Sequence, residues 1–232
     1  MRAKLDRRTM FAALGAGAMT IGLTACGGGA KPARGTPAPI PAGVGALPDT
    51  VMIIRHAEKP TGSGGPRGVT EDGDKDKESL TVRGWARAGA LAELFDPRAG
   101  DGSPAPLRVG LSRPVTLFAS NPGGDGSKRP QQTVTPLAQA LSVSVDTRFA
   151  KGQEAELVAA LPGTNGPVLI AWQHESIGAI VEHLGTVDPT PPKSWPGERF
   201  DMVYVFTHRG DGWGFTQIPE MLLAGDSPTP IS

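Results

Sequence analysis

One cysteine, Cys26, serves the whole chain, so no intramolecular disulfide can brace the fold. Histidine is nearly as scarce. His56, His174, His183 and His208 are the full set, and any imidazole chemistry must be built from them. There is no H-E-x-x-H stretch and no cysteine cluster, which excludes the common zinc patterns; no catalytic metal and no cofactor is expected. An excess of one charge is also missing. Lys and Arg number 23 against 23 Asp and Glu, so the chain lacks the basic footprint of a nucleic-acid partner. No apolar run approaches the roughly 20 residues of a spanning helix, and no internal repeat of solenoid length is visible.

Glycine (32) and proline (23) are plentiful, and much of that excess falls in stretches that read as linker or loop. Residues 1–25 begin with Arg2, Lys4, Arg7 and Arg8 against Asp6, then run uncharged, the layout of an export signal. The Arg7-Arg8 pair resembles a twin-arginine address, and "LTAC" at 23–26 resembles a lipobox, whose cleavage would leave Cys26 as a lipid-bearing first residue. A membrane partner through that anchor is therefore expected. The competing reading is an incidental cysteine in an N-terminal helix. Removing residues 1–25, with four basic and one acidic residue, would leave 19 basic and 22 acidic, a net charge of about −3. Residues 26–48 form a Gly/Pro-rich tether, 49–224 the domain, and 225–232 a polar tail.

Within the domain, short β-branched runs alternate with helical spacing. "TVMII" (50–54), "VTLFAS" (115–120), "VSV" (143–145), "PVLIAWQ" (167–173), "DMVYVFTH" (201–208) and "GWGFTQI" (212–218) read as strands. Residues 80–95, 130–141, 153–161 and 175–185 read as helices, with Pro136 awkward inside the second and Gly185 a C-terminal cap for the fourth. The alternation predicts an α/β layered fold, with a mostly parallel sheet made mixed by a closing hairpin at "RGDG". Ligands of such sheets bind beyond the carboxyl ends of strands. Arg55-His56 and His174-Glu175 each follow directly on an apolar run.

Four segments in order, "RHAEKP", "LTVRGWARAGAL", "RPQQT" and "WQHES", resemble the motifs of the histidine phosphatase superfamily, over roughly residues 50–220. Ala57 stands where the family usually has glycine. The resemblance implies a phosphoglycerate mutase-like three-layer α/β/α sandwich and a phosphorylated small-molecule substrate. It also implies a neutral imidazole attacking phosphorus through a covalent intermediate. By that resemblance His56 is the nucleophile, Arg55 and Arg129 clamp the phosphoryl group, and Gln132 and Thr133 complete R-x-x-Q-T. His174 is the second histidine at the phosphoryl group. Lys59 and Glu58 are expected as substrate contacts near the rim. Guanidinium forks suit this task because they offer paired donors of fixed geometry.

The proton donor for the leaving group is open between Glu175, which the pattern favours, Glu58 and Asp125. His183, near a helix end, and His208, beside a turn, are expected to have no catalytic role, and the charge run at 71–78 reads as a solvated loop, with lining of the substrate entrance as the alternative. Specificity is expected in loops 60–79, 96–114 and 186–200. Two other functions fit the same motifs: a non-catalytic phosphate-ligand or cell-envelope binding module, and a phosphomutase.

Overall fold

The computed structural model describes residues 45–62, 64–123 and 126–232. The export signal, Cys26 and most of the tether lie outside the described residues, as does Asp125. Among the described residues no helix is long and apolar enough to cross a membrane.

Seven strands form one sheet in the order β3-β2-β4-β1-β6-β7-β5. They are β1 (Thr50–Arg55), β2 (Thr116–Ala119), β3 (Val145–Asp146), β4 (Val168–Trp172), β5 (Val187–Asp188), β6 (Met202–Arg209) and β7 (Gly212–Pro219). Only β6 runs against the rest. The helices are α1 (Val82–Phe95), α2 (Arg129–Leu141), α3 (Glu154–Ala159) and α4 (His174–Leu184). This is the layered α/β architecture with a mostly parallel, mixed sheet that the alternating pattern predicts.

The strand period of two divides the core. Val51 and Ile53 of β1, with Val168, Ile170 and Trp172 of β4, meet Leu157, Ile177 and Ile180 from α3 and α4. Met52, Ile54, Leu169 and Ala171 point the other way, against Leu91, Leu94 and Phe95 of α1 and Val134 and Leu137 of α2. Central strands covered on both faces need continuous apolar runs, which is why "VMII" and "VLIAW" do not alternate. Each such side chain contributes about 1.5–3 kcal/mol when fully buried.

Adjacent strands β1 and β4 are parallel, yet the helix after β1 lies on one face and the helix after β4 on the other. A crevice opens between their carboxyl ends for that reason. Two helix starts close in on it. Thr81 caps α1, its Oγ1 accepting from Gly84 N–H at 3.1 Å. Gly84 has to be small: a Cβ there would stand 2.6 Å from Glu58 O. Helix α2 begins at Arg129 with Pro130 in its first turn, where a missing N–H costs nothing. It runs through Pro136 without a break and stops at Ser142, in the left-handed region at φ 56°.

Two expectations need correction. The stretch read as loop at 186–200 contains β5, too short to show a period. Residues 225–232, read as a polar tail, belong to the packed domain: Ile231 is buried, and its N–H and carbonyl pair with the Gln217 side chain, each bond at 2.8 Å. Their anchor is a buried ion cluster. Arg87 of α1, 2% exposed, donates to Glu220 Oε2 at 2.7 Å, Asp226 Oδ1 at 2.7 Å and Glu58 Oε1 at 2.9 Å. One isolated apolar residue and one matched carboxylate leave no periodic trace in the sequence.

Burial pushes the Glu220 carboxyl up to about 8, against the pull of Arg87. The folded state therefore keeps a proton that the unfolded chain releases near its ordinary value of 4.5. Stability should fall as pH rises from about 4.5 to about 8 and level off above that. Glu220→Gln, neutral at every pH, is expected to flatten this part of the curve in urea unfolding; an unchanged slope would show that Glu220 is ionised when folded.

Candidate active site

A cavity of about 330 Å³ opens beyond the sheet, lined by His56, Lys59, Asn121, Arg129, Lys151, Gln173 and Glu175, with Pro122, Gly123, Gly126, Ser127 and Ala150 between them. Four elements converge on it: the ends of β1, β2 and β4, and the start of α2.

His56 is 3% exposed. Its Nδ1 lies 2.7 Å from the carbonyl oxygen of Ala57. A carbonyl can only accept, so the proton sits on Nδ1 and Nε2 keeps its lone pair. Burial drives the imidazole down to about 3; the Ala57 hydrogen bond opposes this and the charges of Arg55, Arg129 and Lys59 add to it. The ring is therefore neutral at physiological pH. The Ala57 methyl packs with Leu80 and Ala88 in a small cluster of its own.

Arg55, 1% exposed, lies behind the cavity wall. Its Nη1 donates to the carbonyls of Pro196, Gly197 and Arg199 at 3.3, 2.6 and 2.8 Å, and Phe200 covers the guanidinium at 3.8 Å from the ring centre. Nε and Nη2 have no partner. Burial lowers Arg55 to about 10, so it stays a cation at neutral pH. Arg129 is held by the Lys77 carbonyl at 2.9 Å and by Glu78, 3.7 Å away, leaving its Nε unpartnered. Unpartnered buried donors are uncommon in folded proteins, and an anion with several oxygens satisfies such a set.

The segment 71–78, read as solvated, thus carries part of the site: Lys77 and Glu78 hold Arg129, and Asp76 accepts from Lys128 at 2.8 Å. Gln132 and Thr133 face the protein interior. Gln132 bonds Leu80 N–H and the Ser79 hydroxyl, which docks loop 60–79 on α2. Thr133 accepts from Ala57 N–H at 2.8 Å and donates to Arg129 O at 2.7 Å.

His174 opens α4 and flanks the cavity without lining it; burial, then the charge of Arg55, lowers its pKa. Its Nδ1 stands 2.8 Å from Glu175 Oε2 but off line for a hydrogen bond. Glu175 does line the cavity, and Lys151 Nζ donates to its Oε1 at 2.6 Å. Burial works to raise Glu175, but Lys151 and the backbone outweigh it and hold the carboxyl at about 2. An acid catalyst needs a raised pKa. In the free protein Glu175 is an ionised carboxylate held by Lys151.

Glu58, expected as a substrate contact or rival donor, does not line the cavity: its carboxylate accepts from Arg83 and Arg87 of α1, and its carbonyl from Thr81. Lys59 does line the cavity. His183 is exposed at the end of α4, and His208 packs on Trp213 at 5.0 Å between ring centres. Loop 96–114 supplies none of the lining.

Lys151, Gln173 and residues 121–123 and 126–127 line the cavity without having been singled out in the sequence, where only Asp125 of that loop was named. They converge because β2 lies beside β4 and β3 beside β2, neighbour relations that no local pattern encodes. The one usable signal was the Gly/Pro-rich "NPGGDGSKR" directly after a strand. Among the described residues no cluster of three or more His, Cys, Asp or Glu could hold a metal ion.

No family model and no curated protein sequence matches the chain. Among solved structures, the protein histidine phosphatase SixA complexed with tungstate aligns at 15% identity, covering 74% of this chain and 97% of its own, with a TM-score of 0.46. A provisionally named phosphohistidine phosphatase SixA from Agrobacterium tumefaciens aligns at 20% identity over 73% and 97%, TM-score 0.45. Mycobacterial hydrolase 2 aligns at 16% over 79% and 93%, TM-score 0.41. These are distant likenesses, and the chemistry of the site has to be read from its own geometry.

Proposed function

We propose that this protein is a phosphatase working through a phosphohistidine intermediate on His56. The observation that carries the reading is a neutral, buried imidazole with Nδ1 committed to a carbonyl, at a cavity bordered by Lys59, Arg129 and Lys151. In the first step the Nε2 lone pair attacks phosphorus, a P–N bond forms and the bond to the leaving group breaks, its electron pair leaving with that group. In the second, water attacks phosphorus, the P–N pair returns to Nε2, and the water proton passes to solvent as phosphate departs. Arg129 stabilises the oxygens that carry the charge, and Arg55 adds its positive charge from behind the cavity wall.

With Glu175 ionised, no carboxylic acid among the described residues lines the cavity. That favours a second, narrower reading: substrates whose leaving groups are weakly basic and need no strong proton donor, such as aryl phosphates, over simple alkyl phosphates. Export is supported by the sequence alone. The Arg7-Arg8 pair, the short apolar run and "LTAC" fit a lipoprotein held at the outer face of the membrane by Cys26.

His56→Ala is expected to abolish hydrolysis across a phosphomonoester panel, and acid-labile, alkali-stable labelling of the wild type should disappear with it; full activity in the variant would sink the reading. In the free enzyme the His56 ring should remain neutral by NMR from pH 8 down to about pH 4, and a titration near 6.5 would contradict its buried, charge-flanked setting. Glu175→Gln should leave the dependence of rate on leaving-group basicity unchanged; a steeper dependence would restore Glu175 as the acid. Cys26→Ser is expected to move the exported protein from membranes to the soluble fraction, and unchanged membrane association would remove the anchor.

A further inference from the structure

We infer that Thr133 is a positioning residue that fixes His56 as an Nε2 nucleophile and ties it to the phosphate-clamping Arg129. The inference rests on the reading of His56 as the nucleophile. Thr133 is fully buried, as is Ala57. A hydroxyl has one proton to give, and the Thr133 hydroxyl gives it to Arg129 O at 2.7 Å, leaving its lone pairs to accept from Ala57 N–H at 2.8 Å. The direction of the chain is thereby set: Ala57 N–H to Thr133, Thr133 O–H to Arg129 O.

Ala57 is also the residue whose carbonyl takes the His56 Nδ1 proton. Its N–H side is anchored by Thr133 and its carbonyl side continues to Glu58, whose oxygen is held by Thr81 N–H at 3.0 Å. Release of the N–H anchor frees the peptide units about Ala57 to rotate, and the carbonyl that selects the tautomer moves with them. Helix α2 does not itself need this hydroxyl. Thr133 is the fifth residue of α2, where bonding back to the carbonyl four residues earlier slightly weakens a helix; its use here is explained by what it holds, not by helix stability.

The test compares wild type, Thr133→Val, which keeps the shape and removes the hydroxyl, and Thr133→Ser, which keeps the hydroxyl. Two readouts are taken: the single-turnover rate of phosphoenzyme formation from an aryl phosphate, and the ring 15N shifts of His56 without substrate. Wild type should show the pure Nδ1–H tautomer. Thr133→Val should show a mixture and phosphorylate about 10- to 100-fold more slowly, with binding of inorganic phosphate little changed. Thr133→Ser should restore both. An Nε2–H tautomer in wild type, a wild-type tautomer in folded Thr133→Val, or failure of Thr133→Ser to rescue would each overturn the inference. If Thr133→Val does not fold, Thr133→Ala, which also removes the hydroxyl, takes its place: a tautomer mixture is expected, and a pure Nδ1–H tautomer in folded Thr133→Ala overturns the inference. If wild type forms no phosphoenzyme, the reading of His56 falls, while the tautomer readout independently decides the role of Thr133.

Discussion

The 2.7 Å bond from His56 Nδ1 to the Ala57 carbonyl decides which ring nitrogen is free, and the rest of the site is arranged around that choice. A ring at the end of a strand would normally be free to turn. Here the backbone from 56 to 58 is pinned on two sides by the opening turns of two helices: Thr81 and Gly84 of α1 meet Glu58, and Thr133 of α2 meets Ala57. The strand itself is fixed by main-chain pairing to β4, which continues one residue past β1 through His56 N–H to Trp172 O at 3.0 Å. Orientation of one imidazole is thus a property of the whole sheet and both helices on one of its faces.

Charge is distributed with the same economy. Cations are left with spare donors where the phosphoryl group is expected, and carboxylates near them are already occupied: Glu58 by Arg83 and Arg87, Glu78 by Arg129, Glu175 by Lys151. Were Glu58 free, its negative charge one residue from Ala57 would raise the proton affinity of His56 and oppose an incoming dianion. The buried cluster around Arg87 therefore serves the chemistry as well as the fold.

Much of this was readable in advance because it is local. Apolar runs ending in Arg55-His56 and Trp172-Gln173-His174 mark strand ends, and the helical spacing of Leu80–Phe95 marks the element that covers one face. What could not be read depends on which strands are neighbours. The cavity takes residues 121–123 and 126–127 because β2 lies beside β4, and Lys151 because β3 lies beside β2 and Ala150 bridges to Asn121. The charge state of Glu175 follows from a lysine 24 positions earlier. The role of 71–78 was masked by composition, since a run of mixed charges looks solvated whether or not two of its members grip an arginine.

The reversed direction of β6 has a consequence for how the wall behind His56 is made. A parallel strand receives its preceding loop at the end of the sheet away from the ligand. Because β6 is antiparallel to β1, with Val203 opposite Ile54, it begins where β1 finishes, and the loop that enters it arrives on the ligand side. That single inversion delivers the carbonyls of Pro196, Gly197 and Arg199 to Arg55. In an all-parallel sheet of the same strands, the guanidinium would have to find its support from some other stretch of chain.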